Sequence, residues 1–329
     1  MKELLETIAD ELRAGGRTML ATIIGKTGSV PRGIGTSMTV SDGGIQTGTV
    51  GGGAMEYSAR LDAMAMLKEN ACGIRDYKIH ADGKEVLSGG IRILFRPFSG
   101  EEGQRLAQRL LNAVANAGNE YWVIELSESL GSASELLDGT ELCVRFGIGA
   151  SPERPIVSDG DPAFLIVPLK KAPRVVLFGG GHVAQVTARQ LALLDFRIWV
   201  IEDRAEFAKG ELFPAAERVI LSGYESVEDM VRLTDADHAI VMTRGHETDY
   251  LTLRWVLRSE ADYIGCVGSK RKIALTRDRL LEDGLMQERI DRLHAPIGLN
   301  IGAETPAEIA VSIAAELIQY RAKKRERTE

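Results

Sequence analysis

Cysteine is scarce in this sequence. Cys72, Cys143 and Cys266 are its only three, they lie far apart, and no C-x-x-C pair occurs. An odd and scattered set excludes a disulfide framework and a zinc ribbon, and it suits a reducing, cytoplasmic setting. No uncharged apolar run is long enough to cross a bilayer, so no membrane association is expected. The opening residues MKELLETIADELRAGG carry Glu3, Glu6, Asp10 and Glu11 and have no apolar core of signal-peptide type. A positive balance is missing as well. At a net charge of -7 the chain lacks the basic surplus with which a general nucleic-acid binder displaces counterions. The tail RAKKRERTE is locally basic and reads as a frayed, solvated helix end. H-E-x-x-H, a G-x-S-x-G elbow and a P-loop lysine motif are all absent. Ordinary acyl hydrolases and ATPases lose weight accordingly, and no metal site is expected.

What is present describes a globular protein, with 44% hydrophobic and 26% charged residues. At 329 residues the chain exceeds what one core serves, so two domains are expected. Pro152, Pro155, Pro162, Pro168 and Pro173 are half of the ten prolines, and they fall in one short stretch. This places a first domain at 1–150, a proline-rich linker at 151–173 and a second domain at 174–329.

The second domain opens on RVVLFGGGHVAQ. Val175 to Phe178 form a wholly apolar run, as expected of a parallel strand buried on both faces. Gly179, Gly181 and Ala184 follow as G-x-G-x-x-A: a tight turn, a close approach to a pyrophosphate, and close packing of helix on strand. A helix is predicted over 183–194 and a second strand over 198–201. That strand ends on Glu202 and Asp203, where a ribose hydroxyl would be held. Further short strands at 218–221, 239–242 and 263–267 alternate with helix-like segments. The pattern predicts an α/β, Rossmann-like, doubly wound parallel sheet. Thr305-Pro306-Ala307-Glu308 reads as a capping box that opens a last helix.

The first domain reads as mixed α+β. Leu4, Leu5, Ile8 and Leu12 recur at helical spacing up to Gly15-Gly16. Strands are predicted at 18–24, 37–40 and 45–50, with Asp42-Gly43-Gly44 as a hairpin turn. Alternating patterns near 90–95, 121–126 and 141–146 suggest more strands, and 54–68 is helix-like.

In an open α/β sheet, ligands bind beyond the carboxyl ends of the strands. The residues there are Gly179 to His182; Glu202, Asp203 and Arg204; Thr243, Arg244, Gly245 and His246; and Ser269, Lys270 and Arg271. Ser269 is a plausible N-cap. Lys270 and Arg271 oppose the dipole of the helix they begin, and a bound anion would explain them, as would long side chains reaching into water. Gly51-Gly52-Gly53 make a second glycine turn into a helix, whose bare amides would attract phosphate or carboxylate. There Glu56 either orients a ligand group or complements the dipole, and the loop residue Arg32 is a candidate phosphate clamp. Two such turns together with Ser269-Lys270-Arg271 would suit one ligand or a pair carrying several phosphates. His182, His246 and Glu56 are the candidates for proton transfer, with His294 near the same mouth. Cys266, inside an apolar strand, reads as a buried thiol.

The segments GSVPRGIGTSMTV, TGTVGGGAMEY, FGGGHVA, IEDRAEFA, VMTRGHETD, YIGCVGSKRK and HAPIGLNIGAETPAEIA occur in this order. Through them the chain resembles the xanthine dehydrogenase accessory protein family, of XdhC/CoxI type. The resemblance implies an amino-terminal domain joined to a Rossmann domain, in a homodimer. It also implies a maturation factor that binds molybdenum cofactor (molybdopterin, in some cases its dinucleotide form), assists its sulfuration and delivers it to a molybdenum hydroxylase apoprotein. A cysteine desulfurase is a further partner on this reading. Many relatives carry cysteine where this chain has Ala54 and Ser88, and a histidine and an acid where it has Arg244-Gly245. If those thiols handle sulfur, this protein does not do so in that way. The competing reading is an NAD(P)-dependent oxidoreductase, carried by G-x-G-x-x-A, Glu202 and Asp203, with Arg204 leaving room for a 2′-phosphate and His182 or His246 moving the proton. No Tyr-x-x-x-Lys accompanies it.

Overall fold

The computed structural model describes residues 1–30, 32–80, 87–116, 118–128, 134–225 and 227–326. The side chains of Ile79, His80, Leu87, Ser88, Arg325 and Glu326 also lie outside this description. The chain divides into two compact units, Met1–Lys171 and Ala172–Glu329. No described helix is long and apolar enough to cross a membrane.

The first unit runs α1 (Lys2–Arg13), β1 (Thr18–Gly28), β2 (Ser37–Ser41), β3 (Gln46–Gly48), α2 (Gly53–Glu69), β4 (Gly73–His80), β5 (Leu87–Phe98), α3 (Gly100–Ala115), β6 (Glu120–Glu125), β7 (Ser134–Asp138), α4 (Gly139–Phe146), β8 (Ile156–Val157) and β9 (Phe164–Pro168). Two antiparallel sheets result, ordered β3-β2-β1-β5-β4 and β7-β6-β9-β8. Alternation along β1 sends Met19, Ala21 and Ile23 to a core beneath α2, and Leu20 and Ile24 to a second core. That second core takes Leu5, Ile8 and Leu12 of α1, Leu110 of α3, and Trp122 and Val167 of the smaller sheet. The mixed α+β reading therefore holds.

Two readings change. The stretch 151–173 is not a bare linker: β8 and β9 lie within it, and β9 pairs with β6 from Tyr121↔Pro168 to Glu125↔Phe164. Pro152, Pro155, Pro162 and Pro173 lie outside these strands and Pro168 is the last residue of β9, positions where a missing amide hydrogen costs little. The segment 141–146 is helix, not strand. Asp138 accepts hydrogen bonds from Thr140 N at 2.7 Å and Glu141 N at 2.9 Å, and Glu141 accepts one from Asp138 N. That capping box starts α4, and Gly147, left-handed at φ 61°, stops it.

The second unit runs β10 (Arg174–Phe178), α5 (His182–Ala192), β11 (Arg197–Glu202), β12 (Ala216–Leu221), α6 (Val227–Met230), β13 (Asp237–Val241), α7 (His246–Val256), β14 (Tyr263–Cys266), α8 (Lys270–Glu282), α9 (Gln287–Asp291), β15 (Leu293–His294) and α10 (Pro306–Glu326). The six strands are parallel and ordered β12-β11-β10-β13-β14-β15. The order reverses between β10 and β13, so a crevice opens above their carboxyl ends, the switch point of a Rossmann sheet. Val175 to Phe178 are all fully buried. Val176 and Phe178 face one core, and Val175 and Leu177 the other, as a strand covered on both sides requires.

Candidate functional site

The crevice begins at Gly179. Its φ is +119°, and a Cβ there would lie 2.3 Å from the Met242 carbonyl oxygen, so only glycine lets this turn lie against the chain leaving β13. Gly181 is the opposite case, because a Cβ there would meet nothing within 4 Å. The α5 helix starts at His182 without a side-chain cap. The first amides of that helix have no intrahelical acceptor, a setting that favours an anion. Ala184 is buried against the sheet, as its small size suggested.

The acids at the end of β11 behave differently from the expectation. Glu202 is fully buried and turned under the glycine turn. Its Oε2 accepts from Gly180 N at 2.5 Å and from Arg204 Nη2 at 3.0 Å. Its Oε1 accepts from Arg204 N at 3.1 Å and Nε at 2.7 Å. Burial alone would raise this carboxyl, but Arg204, Asp203 and the Gly180 amide hold it at about 2. Arg204 is thereby committed too, its guanidinium 4.0 Å from the centre of the Phe207 ring. Asp203 pairs with the exposed Arg244 at 3.3 Å, while its Oδ1 is buried without a hydrogen-bond partner among the described residues. Burial and the neighbouring Glu202 push its carboxyl upward.

Beyond β13 the decisive residue is Asp249, which sequence reasoning passed over. It lies in the first turns of α7, and its side chain is 1% exposed. Oδ1 accepts from Thr243 N at 3.1 Å and Thr243 Oγ1 at 2.5 Å, and Oδ2 pairs with Lys272 of α8. Thr243 also shares a hydrogen bond of 2.6 Å with Thr248. One carboxylate thus ties the chain leaving β13 to the start of α8. The sequence did carry a signal for it: three cations in the first turn of α8 demand negative charge nearby, and Asp249 answers one of them. The Cys266 thiol beside this pair is pushed up to about 12, first by burial and then by Asp249, so it is an inert core group.

Ser269 caps α8, its hydroxyl accepting from Lys272 N at 3.3 Å. Lys270 and Arg271 are exposed and form no ion pair among the described residues. His182 and His246 are both exposed at helix starts, His182 edge-on to Phe207. His294 does not stand free with them: it stacks on Tyr263 at 4.5 Å and lies 3.2 Å from Glu316. Among the described residues, no group of three or more His, Cys, Asp or Glu stands together to hold a metal ion.

In the first unit, Gly51, Gly52 and Gly53 have φ of 142°, 81° and 68° and lead into α2 as read. The amides expected to receive a phosphate point elsewhere. Val50 N at 2.8 Å, Gly51 N at 3.2 Å and Gly52 N at 3.1 Å all donate to Glu56 Oε2, as does Thr49 Oγ1, while Gln46 donates to Oε1. Glu56 therefore fills the turn itself. Burial would raise its carboxyl, but Thr49, Gln46 and the Val50 and Gly52 amides hold it at about 2. Ala54 is exposed at the helix start. Arg32 is exposed in the loop after β1, with no hydrogen bond or ion pair to this turn.

Two family models match the chain, the XdhC and CoxI family over residues 11–78 and the XdhC Rossmann domain over residues 175–317. A Bacillus subtilis protein, named as a probable subunit of xanthine dehydrogenase, is 31% identical over 46% of this chain and 44% of its own length. The Escherichia coli molybdenum cofactor insertion chaperone PaoD is 22% identical over 97% of this chain and 88% of its own. A crystal structure described as a xanthine dehydrogenase from Bacillus halodurans superposes with a TM-score of 0.82 at 25% identity, covering 100% of this chain and 97% of that one. The chain spans under half the length of the curated relatives it matches at 31% and 35% identity. With both of its characteristic regions present in order, the chain belongs to the XdhC and CoxI family.

Proposed function

We propose that this protein is an accessory factor in the maturation of a molybdenum hydroxylase. The second unit binds molybdenum cofactor as cargo, and the protein hands it to the apoenzyme. The observation that carries this reading is the free donor set around the crevice. It comprises the uncapped start of α5 beneath the open space at Gly181, and Lys270 and Arg271, unpaired among the described residues, at the start of α8. Such donors fit the terminal phosphate of a pterin cofactor, or the diphosphate of its dinucleotide form. The alignment along nearly the whole chain with a relative named as an insertion chaperone supports the same role. With three unpaired thiols the protein suits the cytoplasm. A homodimer, and a cysteine desulfurase as sulfur source, complete the reading. Sulfur is not held at Ala54, which has no thiol.

The test is titration of the purified chain with molybdenum cofactor, followed by ultrafiltration and absorbance. Lys270→Ala with Arg271→Ala is expected to weaken binding about tenfold, about 1.4 kcal/mol. The melting temperature should stay within about 2 °C, because neither side chain is bonded to the fold. Failure of the wild type to retain the cofactor would overturn the proposal. An NAD(P)-dependent oxidoreductase is the second reading, favoured by the strand order and by the open Gly181 turn.

A further inference from the structure

We infer that Glu202 and Arg204 form an internal clasp that closes the ribose-diol position of this crevice, so the site holds its ligand through phosphate and gains nothing from the ribose diol of NAD or NADP. The inference rests on the reading of the crevice as a phosphate-binding site and specifies what that site rejects.

In a Rossmann sheet, the acid ending the second strand accepts hydrogen bonds from the ribose hydroxyls. Here that acid is Glu202. A carboxylate has about four lone-pair positions, and the four hydrogen bonds it receives from Gly180 N and Arg204 N, Nε and Nη2 use all of them. The residue is fully buried, so no ligand hydroxyl reaches it while Arg204 stays in place. Arg204 is held on two sides, by the fork-to-carboxylate contact and by the Phe207 ring 4.0 Å away. A guanidinium committed in this way does not turn outward to take a 2′-phosphate, so NADP gains nothing there either. The neighbouring acid offers no substitute of equal quality, because Asp203 Oδ2 receives Arg244 at 3.3 Å and its Oδ1 is buried out of a ligand's reach. The ends of the crevice are thus unequal. At the β11 end the Glu202 carboxylate is saturated and Asp203 Oδ1 is buried, while donors stand free at the starts of α5 and α8. The phosphates of a ligand find partners, and a ribose diol on it does not.

The experiment is calorimetric titration of the full chain with NAD, NADP and inorganic pyrophosphate, comparing wild type with Arg204→Met, Arg204→Lys and Glu202→Gln. The wild type should bind NAD and NADP no more tightly than inorganic pyrophosphate. Arg204→Met uncovers Glu202 and should bind NAD at least about tenfold more tightly than wild type. Arg204→Lys keeps a cation but loses the fork, so it should show a smaller gain and serves if the methionine variant does not fold. NAD binding by the wild type that Glu202→Gln abolishes would overturn the inference. So would folded Arg204 variants with no gain. Loss of pyrophosphate binding in every protein would instead strike the phosphate-site reading, and the NAD comparison would still report on the clasp.

Discussion

Asp249→Ala is expected to cost about 3 kcal/mol of folding stability, at the lower end of what removing one partner from a buried ion pair costs. The Asp249 side chain is 1% exposed and that of Lys272 17%, so the ammonium left behind recovers only part of its hydration. The substitution also strips the acceptor from Thr243 N, at the point where the chain leaves β13, and leaves the Thr243 hydroxyl to Thr248 alone among side chains. Much of the expected loss is therefore the penalty for stranded donors, and only part is the worth of the pair. A double-mutant cycle separates the two. Asp249→Ala with Lys272→Met removes both charges and should recover about 2 kcal/mol relative to the single variant. Urea unfolding followed by circular dichroism reads both values. A single-variant loss under about 1 kcal/mol would show that this contact does not brace the crevice.

The sheet of the second unit was legible because each strand is a short apolar run with polar residues at its end. Val175 to Phe178 cannot be an amphipathic surface element of either period, and burial on both faces is what remains. The segment 141–146 misled for an equally physical reason. Leu142, Val144 and Phe146 alternate with Glu141, Cys143 and Arg145, which is the pattern of a strand. The reciprocal hydrogen bonds between Asp138 and Glu141 override it, and the resulting helix turns Val144 outward at 80% exposure while Leu142 is buried. At the site, residue types were readable and their partners were not. Glu202 and Arg204 were read as two ligand-facing groups, but charges two residues apart at a strand end can close on each other, and these do. Asp249 was invisible because its partners, Thr243 and Lys272, come from other segments, and only the folded sheet brings them within reach.

Removal of the Glu56 carboxylate is expected to turn a self-filled turn into an anion receptor. In the wild type, one carboxylate oxygen collects Val50, Gly51 and Gly52 amides together with the Thr49 hydroxyl, the geometry that a bound phosphate would otherwise enjoy. Its folded-state value of about 2 lies below the ordinary 4.5. The stabilisation is therefore complete above pH 4.5 and is lost as pH falls from there through about 2. After allowance for solvent screening of a partly exposed group, that contribution is about 2 kcal/mol at neutral pH. Glu56→Ala should lose this amount and should flatten the acid limb of the stability curve between pH 4.5 and about 2. The Val50 and Gly52 amides then lose their acceptor at the start of α2 while Gly51 N keeps Thr49 Oγ1 at 3.1 Å, and a small carboxylate can replace the missing one. Acetate at about ten times its dissociation constant would return about 1.4 kcal/mol to the variant by mass action. The wild type, whose turn is already filled, should show no such gain. Thermal melts of both proteins in acetate, against chloride at equal ionic strength, distinguish the cases. An equal response of wild type and variant to acetate would mean that Glu56 only complements the helix dipole, and that the glycine turn has no anion-binding geometry of its own.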